Sequence, residues 1–296
     1  VEGDATTTSL QGIGNNLAGH YVLGGDIDAS ATASWNSGDG FDPIGKPGVN
    51  PDPPFDPGIP ARPFIGTFDG LGHTISGLTI NRPSEDGVGL FGHASGSDLR
   101  NIGLLGGSIA GNQYVGGLVG DISSSIITRA YATGAVTGGQ VVGGLVGGGT
   151  DSSISEAYAT GEVISSSSYV GGLVGQLAGS GSTITQAYAT GAVSGTYDVG
   201  GLVGYSEGSM SDVYATGAVT TGDNTYSGGL VGVTHGTITA GYWDSYSTGR
   251  TAGVGYGSAT GVTAITSDPA HAGDANYALA QSAYAGFDFT SGTGTW

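Results

Sequence analysis

Carboxylates are the first residues in this chain with a chemistry to offer. A pair of them facing each other across a groove, about 5–9.5 Å apart, can hydrolyse a glycosidic bond. Asp69 in "FDGLGH" and the Asp26/Asp28 pair in "GGDIDAS" are the candidates. A competing reading is favoured: an aspartate beside glycine closes a turn through its own backbone. A lyase acting on uronates needs clustered cations, yet Lys46, Arg62, Arg82, Arg100, Arg129 and Arg250 are scattered, with only Arg100 and Arg129 in nearly adjacent register. The five histidines, His20, His73, His93, His235 and His271, have no metal-ligand spacing, and His73 reads as a turn residue. A Gly-x-Ser-x-Gly elbow in strand-to-helix context and a phosphate loop ending in Gly-Lys are both missing. With no cysteine there is no thiolate chemistry. No catalytic residue, metal ligand or cofactor is therefore assigned. Calcium is left open by the many acids, although the GGxGxD calcium repeat is absent.

Two uncharged columns are sharper. Tyr131, Tyr158, Tyr188, Tyr214 and Tyr242 recur in "YATG" and its variant "YWDSYSTG". A row of aromatic rings can stack on sugar rings; the same row can also do no more than stabilise one coil on the next. Two residues on, Thr133, Thr160, Thr190 and Thr216 form a threonine column. Regular threonine rows on flat solenoids can order water and bind ice, but one column beside bulky tyrosines is not a flat two-column face. These nine residues are the candidate ligand-binding positions.

The elements that position them follow from a repeat. The pair opening "GGLVG" falls at Gly116, Gly143, Gly171, Gly200 and Gly228, with "VGLFG" at 88–92 as a degenerate copy. The steps are 27 to 29 residues, and the tyrosine series interlocks with them. Aligned units give apolar columns: Leu99, Ile127, Ile154, Ile184, Met210, Ile238; then Val136, Val163, Val193, Val219; then Leu90, Leu118, Leu145, Leu173, Leu202, Leu230. Such columns are what stacked coils require, because equivalent residues bury one another. Helical periodicity is absent, and glycine every few residues disfavours helix. The prediction is all-β: a right-handed parallel β-helix with ~28-residue coils and capped ends. Glycine is expected to turn corners at positive φ and to let coils close tightly. A bend is expected at each glycine pair, where alternation between Val115 and Leu118 breaks.

One β-helix domain is expected over 1–296, with an N-terminal cap and proline-rich loop at 1–63, repeat coils at 64–243 and a C-terminal capping region at 244–296. The stretch 42–63 holds eight prolines and reads as an extended loop. Residues 274–285 read as a short helix with Asp274 as N-cap. Of 296 residues, 62 are glycine and only 10% are charged, and the formal net charge is −18. Nucleic acid and anionic membranes are poor partners for such a surface. Scarcity of charge also fits stacking, since a column of like charges about 4.8 Å apart repels itself. The position before the Ala/Val-Tyr pair varies accordingly: Arg129, Glu156, Gln186, Asp212. No apolar run approaches a membrane span and no positively charged signal peptide opens the chain, so a mature or excised soluble piece is expected.

"GGLVG" at 28-residue spacing is similar to the GLUG motif. "HYVLGGDIDAS", "FIGTFDGLGHTISGLTI" and "YWDSYSTG" followed by "GFDF" resemble passengers of filamentous-haemagglutinin-like adhesins of Gram-negative bacteria, which use two-partner secretion. The resemblance covers nearly the whole chain. It implies a secreted or bacterial cell-surface, non-catalytic β-helical scaffold that attaches to extracellular glycans or protein receptors. It also implies an outer-membrane transporter for the parent chain. The Asn-Pro pattern typical of the secretion domain is not at the start, so an internal passenger piece is expected. Alternatives are a carbohydrate-active β-helix enzyme, a ligand-free stalk and an ice-binding solenoid.

Overall fold

The computed structural model describes residues 9–46, 62–222, 226–272 and 274. They wind into a parallel β-helix, as the repeat predicts. Each coil visits four sheets in turn. In the second full coil the strands are Ile126–Ala132, Ala135–Gly138, Gln140–Gly143 and Val146–Thr150. They belong respectively to a long sheet with nine rungs in line, a six-stranded, a five-stranded and a seven-stranded sheet. Every pairing between these strands is parallel, one coil to the next.

The apolar columns are the register. Leu99, Ile127, Ile154, Ile184, Met210 and Ile238 pair in sequence along the long sheet. Val136, Val163, Val193 and Val219 do so in the six-stranded sheet. All are buried, and so is the leucine column. A serine column is buried too. Ser97, Ser125, Ser152 and Ser182 sit where the seven-stranded sheet turns into the long one. The Ser97 amide donates to Ser125 Oγ at 3.1 Å, the Ser125 amide to Ser152 Oγ at 3.1 Å, and the Ser152 amide to Ser182 Oγ at 3.3 Å. The buried hydroxyls thereby satisfy backbone donors at the corner.

The expectation for glycine is half corrected. The glycine pairs do mark the bend, but not at positive φ. Their reason is close approach: a Cβ on Gly143 would lie 2.1 Å from the Val146 carbonyl oxygen and 2.8 Å from that of Leu173. Positive φ falls on other glycines at corners, Gly87, Gly96, Gly106 and Gly107 among them, and on side-chain-bearing residues, most of them in two columns. One is Asn101, Arg129, Glu156, Gln186, Asp212 and Ala240, with φ between 50° and 54°. The other is Tyr114, Val141, Tyr169, Asp198 and Tyr226, with φ between 52° and 61°. The first column resets the inside–outside alternation of the long strand. Ile127 and Ala130 both point inward, and Thr128 and Arg129 lie between them on the outside.

The ends depart from the repeat. At the N-terminal end Phe41, Phe64, Phe68 and Phe91 replace the aliphatic core, with Phe64 4.9 Å and Phe68 5.4 Å from Phe91. The proline-rich segment leaves after Lys46 and returns at Arg62, whose backbones exchange two hydrogen bonds of 3.0 and 2.9 Å. Residues 47–61 between them lie outside the described residues, as does the helix expected over 274–285 beyond Asp274. At the C-terminal end "YWDSYSTGR" departs from the repeat, and Val254–Tyr256 and Val262–Ile265 then add one more rung to the seven-stranded and the long sheet. Trp243 takes the alanine position of earlier rungs and packs against Gly229 and Gly253. The Arg250 guanidinium donates to the Val219 carbonyl, at the last strand of the six-stranded sheet.

Candidate functional site

Tyr131, Tyr158, Tyr188, Tyr214 and Tyr242 occupy one register position on the outer face of the long sheet. Alanines flank each of the first three within its strand and point inward, so the ring points out. Ring centroids are 4.6, 4.8 and 4.9 Å apart along Tyr131–Tyr158–Tyr188–Tyr214, and the planes are within 2–5° of parallel. That spacing is the rung spacing of the sheet. Below Tyr131 lies Gly103, its register partner; a Cβ there would come within 2.2 Å of the ring. At the other end Tyr242 is buried against Ile265. The ring faces in the ladder are therefore turned on each other, and edges and hydroxyls face solvent. Burial, then the neighbouring Tyr188 and Tyr131, push the Tyr158 hydroxyl above its ordinary pKa; burial does the same to Tyr188. A shallow groove of about 270 Å³ runs beside the ladder, lined by Arg129, Glu156, Ala157, Gln186 and the first three tyrosines.

The threonine column is a corner, not a strand. Thr133, Thr160, Thr190 and Thr216 follow the long-sheet strands, and their amides donate to Leu104, Ala132, Ala159 and Ala189 of the preceding coil. Thr133 Oγ1 accepts from the Gly106 amide at 2.8 Å.

Asp69 and Asp28 lock turns, and Asp26 ties one coil to the next. Asp69 accepts hydrogen bonds from Asn101 Nδ2 (2.8 Å), Arg100 Nε (2.9 Å) and the Leu71 amide (2.9 Å). In that order these donors hold its carboxyl down at about 2. Asp28 accepts from the Ser30 amide at 2.9 Å, and Asp26 from the Thr74 amide at 2.8 Å. Arg100 is engaged by Asp69 and Asp98. Arg129 Nε donates to Asn101 Oδ1 at 2.6 Å, and its Nη1 lies 3.8 Å from Glu156. The two arginines do not converge on a common point. His73 lies 3.4 Å from Asp26 and His93 3.0 Å from Asp121. Among the described residues no three His, Cys, Asp or Glu side chains gather as a metal site.

Sequence reasoning overlooked a second aromatic row, at the corner between the five- and seven-stranded sheets. Tyr169 meets Tyr205 at 5.7 Å and 79°, Tyr205 meets His235 at 5.7 Å and 60°, His235 meets Tyr256 at 6.0 Å and 67°, and Tyr226 meets Tyr256 at 5.3 Å and 77°. The signal was present: the residue two before the glycine pair is Tyr114, Tyr169 and Tyr226 in three of five coils. Val141 and Asp198 interrupt the column and hid it.

The fold and its ladders define a parallel β-helix assembled from short glycine-paired repeats, and the comparisons give those repeats a name. The GLUG motif model matches residues 138–164, 166–194 and 195–220. The chain is 34% identical over 250 residues to Halomucin of Haloquadratum walsbyi, a match covering 79% of this chain and 2% of Halomucin's length. Two solved structures share the fold. One is a Bacteroides ovatus protein named as a candidate immunoglobulin A1 protease, with TM-score 0.60 and 21% identity over 84% of this chain and 78% of that one. The other is an IgA1 protease, with TM-score 0.63 and 20% identity over 90% of this chain and 22% of that one. Among the described residues no helix is long and apolar enough to cross a membrane.

Proposed function

We propose that this chain is a non-catalytic, extracellular β-helical segment that attaches its parent protein to glycans or protein receptors at a surface. One observation carries the reading. The carboxylates suited to hydrolysis are engaged by amides and side chains, locking turns or tying coils together, whereas the exterior carries long ordered rows of hydroxyl-bearing rings. A fold of stacked near-neighbour contacts is well suited to holding a surface away from its anchor. The match to 2% of Halomucin's length supports a role as one segment of a much larger chain. Passage through an outer-membrane transporter, as in filamentous-haemagglutinin-like adhesins, belongs to the same proposal. The protease names of the fold neighbours bear on those proteins, and at 20–21% identity they add only the fold.

On the ladder, the tyrosine edges and hydroxyls and the groove beside them form the candidate contact surface, with Thr133, Thr160, Thr190 and Thr216 along its rim. The test is a screen of the purified chain against immobilised glycans, with and without calcium. Binding that is lost when Tyr131, Tyr158 and Tyr188 are all changed to phenylalanine, which keeps the stacks and removes the hydroxyls, supports attachment through the ladder. Binding to no glycan and no protein receptor overturns attachment and leaves a stalk.

A further inference from the structure

The edge-on row differs from the ladder in what it leaves open. In a parallel stack each inner ring has a neighbour on both faces. In an edge-on contact one ring contributes only its edge, so part of the π surface stays available. Tyr226 and Tyr256, at the C-terminal end of the row, are 44% and 52% exposed. The row is also acidic. Tyr205 Oη donates to Glu207 Oε1 at 2.8 Å, and the Gly179 amide donates to Glu207 Oε2 at 2.8 Å. The amide, then the hydroxyl, keep this carboxyl below its ordinary pKa, so it is charged at neutral pH. The Glu207 and Asp198 charges both act on the Tyr205 hydroxyl.

Exposed rings at one end of a row and a fixed negative charge farther along it, at Tyr205, select an extended ligand of particular chemistry. The C–H face of a pyranose packs on a tyrosine ring. An ammonium is attracted both to the ring face and to the carboxylate. A uronate or sulfate is repelled by that carboxylate and by a chain of net charge −18.

We propose that the row Tyr169, Tyr205, His235, Tyr256 and Tyr226, with Glu207, binds a polysaccharide whose pyranose units carry free amino groups. The sugars stack on Tyr226 and Tyr256, and an ammonium group is drawn to Glu207. This rests on the attachment reading and assigns it a second surface and a ligand class.

Calorimetric titration with hexamers of glucosamine, N-acetylglucosamine and galacturonic acid tests it on the whole chain. The glucosamine hexamer is expected to bind, the acetylated hexamer at least tenfold more weakly, and the galacturonate hexamer not at all. Tyr226→Ala combined with Tyr256→Ala is expected to weaken glucosamine binding at least tenfold. Glu207→Gln is expected to weaken it several-fold and flatten its salt dependence. Tyr246→Ala, an exposed tyrosine off the row, is expected to leave it unchanged. Circular dichroism checks the fold, and Tyr256→Leu alone serves if the double variant is unstable. Equal affinity for the galacturonate hexamer, or full affinity in the folded double variant, overturns the proposal. No binding to the glucosamine hexamer while other glycans or a protein receptor bind overturns this proposal alone; no binding to anything overturns the attachment reading with it.

Discussion

The molecule carries tyrosines in two rows, and the two rows are built differently. On the long sheet a tyrosine returns in five successive coils at one register position, and the first four rings stack parallel at 4.6–4.9 Å. At the opposite corner tyrosines come from two columns and skip coils. Tyr169 and Tyr226 are separated by Asp198 in one column, and Tyr205 and Tyr256 by Val233 in the other. No ring there has its own kind directly above it, so each turns to meet a ring across the corner at 60–79°. Strict repetition makes an aromatic row into core-like stacking, and interrupted repetition leaves a surface.

If that contrast is right, the largest effect belongs to the ladder. Changing Tyr131, Tyr158 and Tyr188 together to alanine removes three stacked contacts and should destabilise the chain by about 3 kcal/mol in urea unfolding, at about 0.5–1.5 kcal/mol per aromatic pair plus lost burial. Tyr256→Ala should change stability by less than about 0.5 kcal/mol, as for exposed substitutions generally. Equal losses in the two rows would end the comparison.

Alkaline titration gives a second, smaller contrast. Tyr205 is pushed up to about 12 by burial and by Glu207. The folded state therefore holds this proton more tightly than the unfolded chain, whose tyrosines titrate near 10. Its contribution to stability is complete below pH 10 and is lost as pH rises from about 10 to about 12. Among the late-titrating tyrosines, tyrosinate absorbance should show one component that moves earlier in Glu207→Gln. A third experiment repairs the interrupted column: Asp198→Tyr with Val141→Tyr should create a parallel stack at the second corner, read as a stronger near-ultraviolet dichroism signal. The smallest effect is expected on the backbone. Glu156→Gly relieves a left-handed residue at φ 50° and should stabilise by about 0.5 kcal/mol, measurable as a raised urea midpoint.

The coil length, the buried columns and the tyrosine register were all legible in the sequence, because stacking forces equivalent residues into contact and the repeat records it. The conformation of Arg129, Glu156, Gln186 and Asp212 was not. Their common feature is a backbone angle, and a solvent-facing left-handed residue leaves no shared side-chain type to read. Both uses of glycine were legible as types, positive φ at corners and close approach between coils, but not which glycine serves which: the pairs have no positive φ and are held to glycine by nearby carbonyl oxygens. For the site, the spacing of the tyrosines and their stacking coil on coil were legible; the edge-on row was not, because Val141 and Asp198 interrupt its column. Asp69 and Asp28 were correctly legible as turn residues, each accepting from the amide two residues on; Asp26 instead accepts from the Thr74 amide of the next coil, which its neighbourhood did not announce.

The two hydrogen bonds between Lys46 and Arg62 have a consequence for how this chain can change. They close a neck at which the backbone departs and rejoins within a single residue pair. Doubling the length of a closed loop costs only about 0.6 kcal/mol in chain entropy. The neck thus has the form of a cassette boundary: the chain enters and leaves at one paired point, which is the geometry that exchange of a segment for one of another length requires.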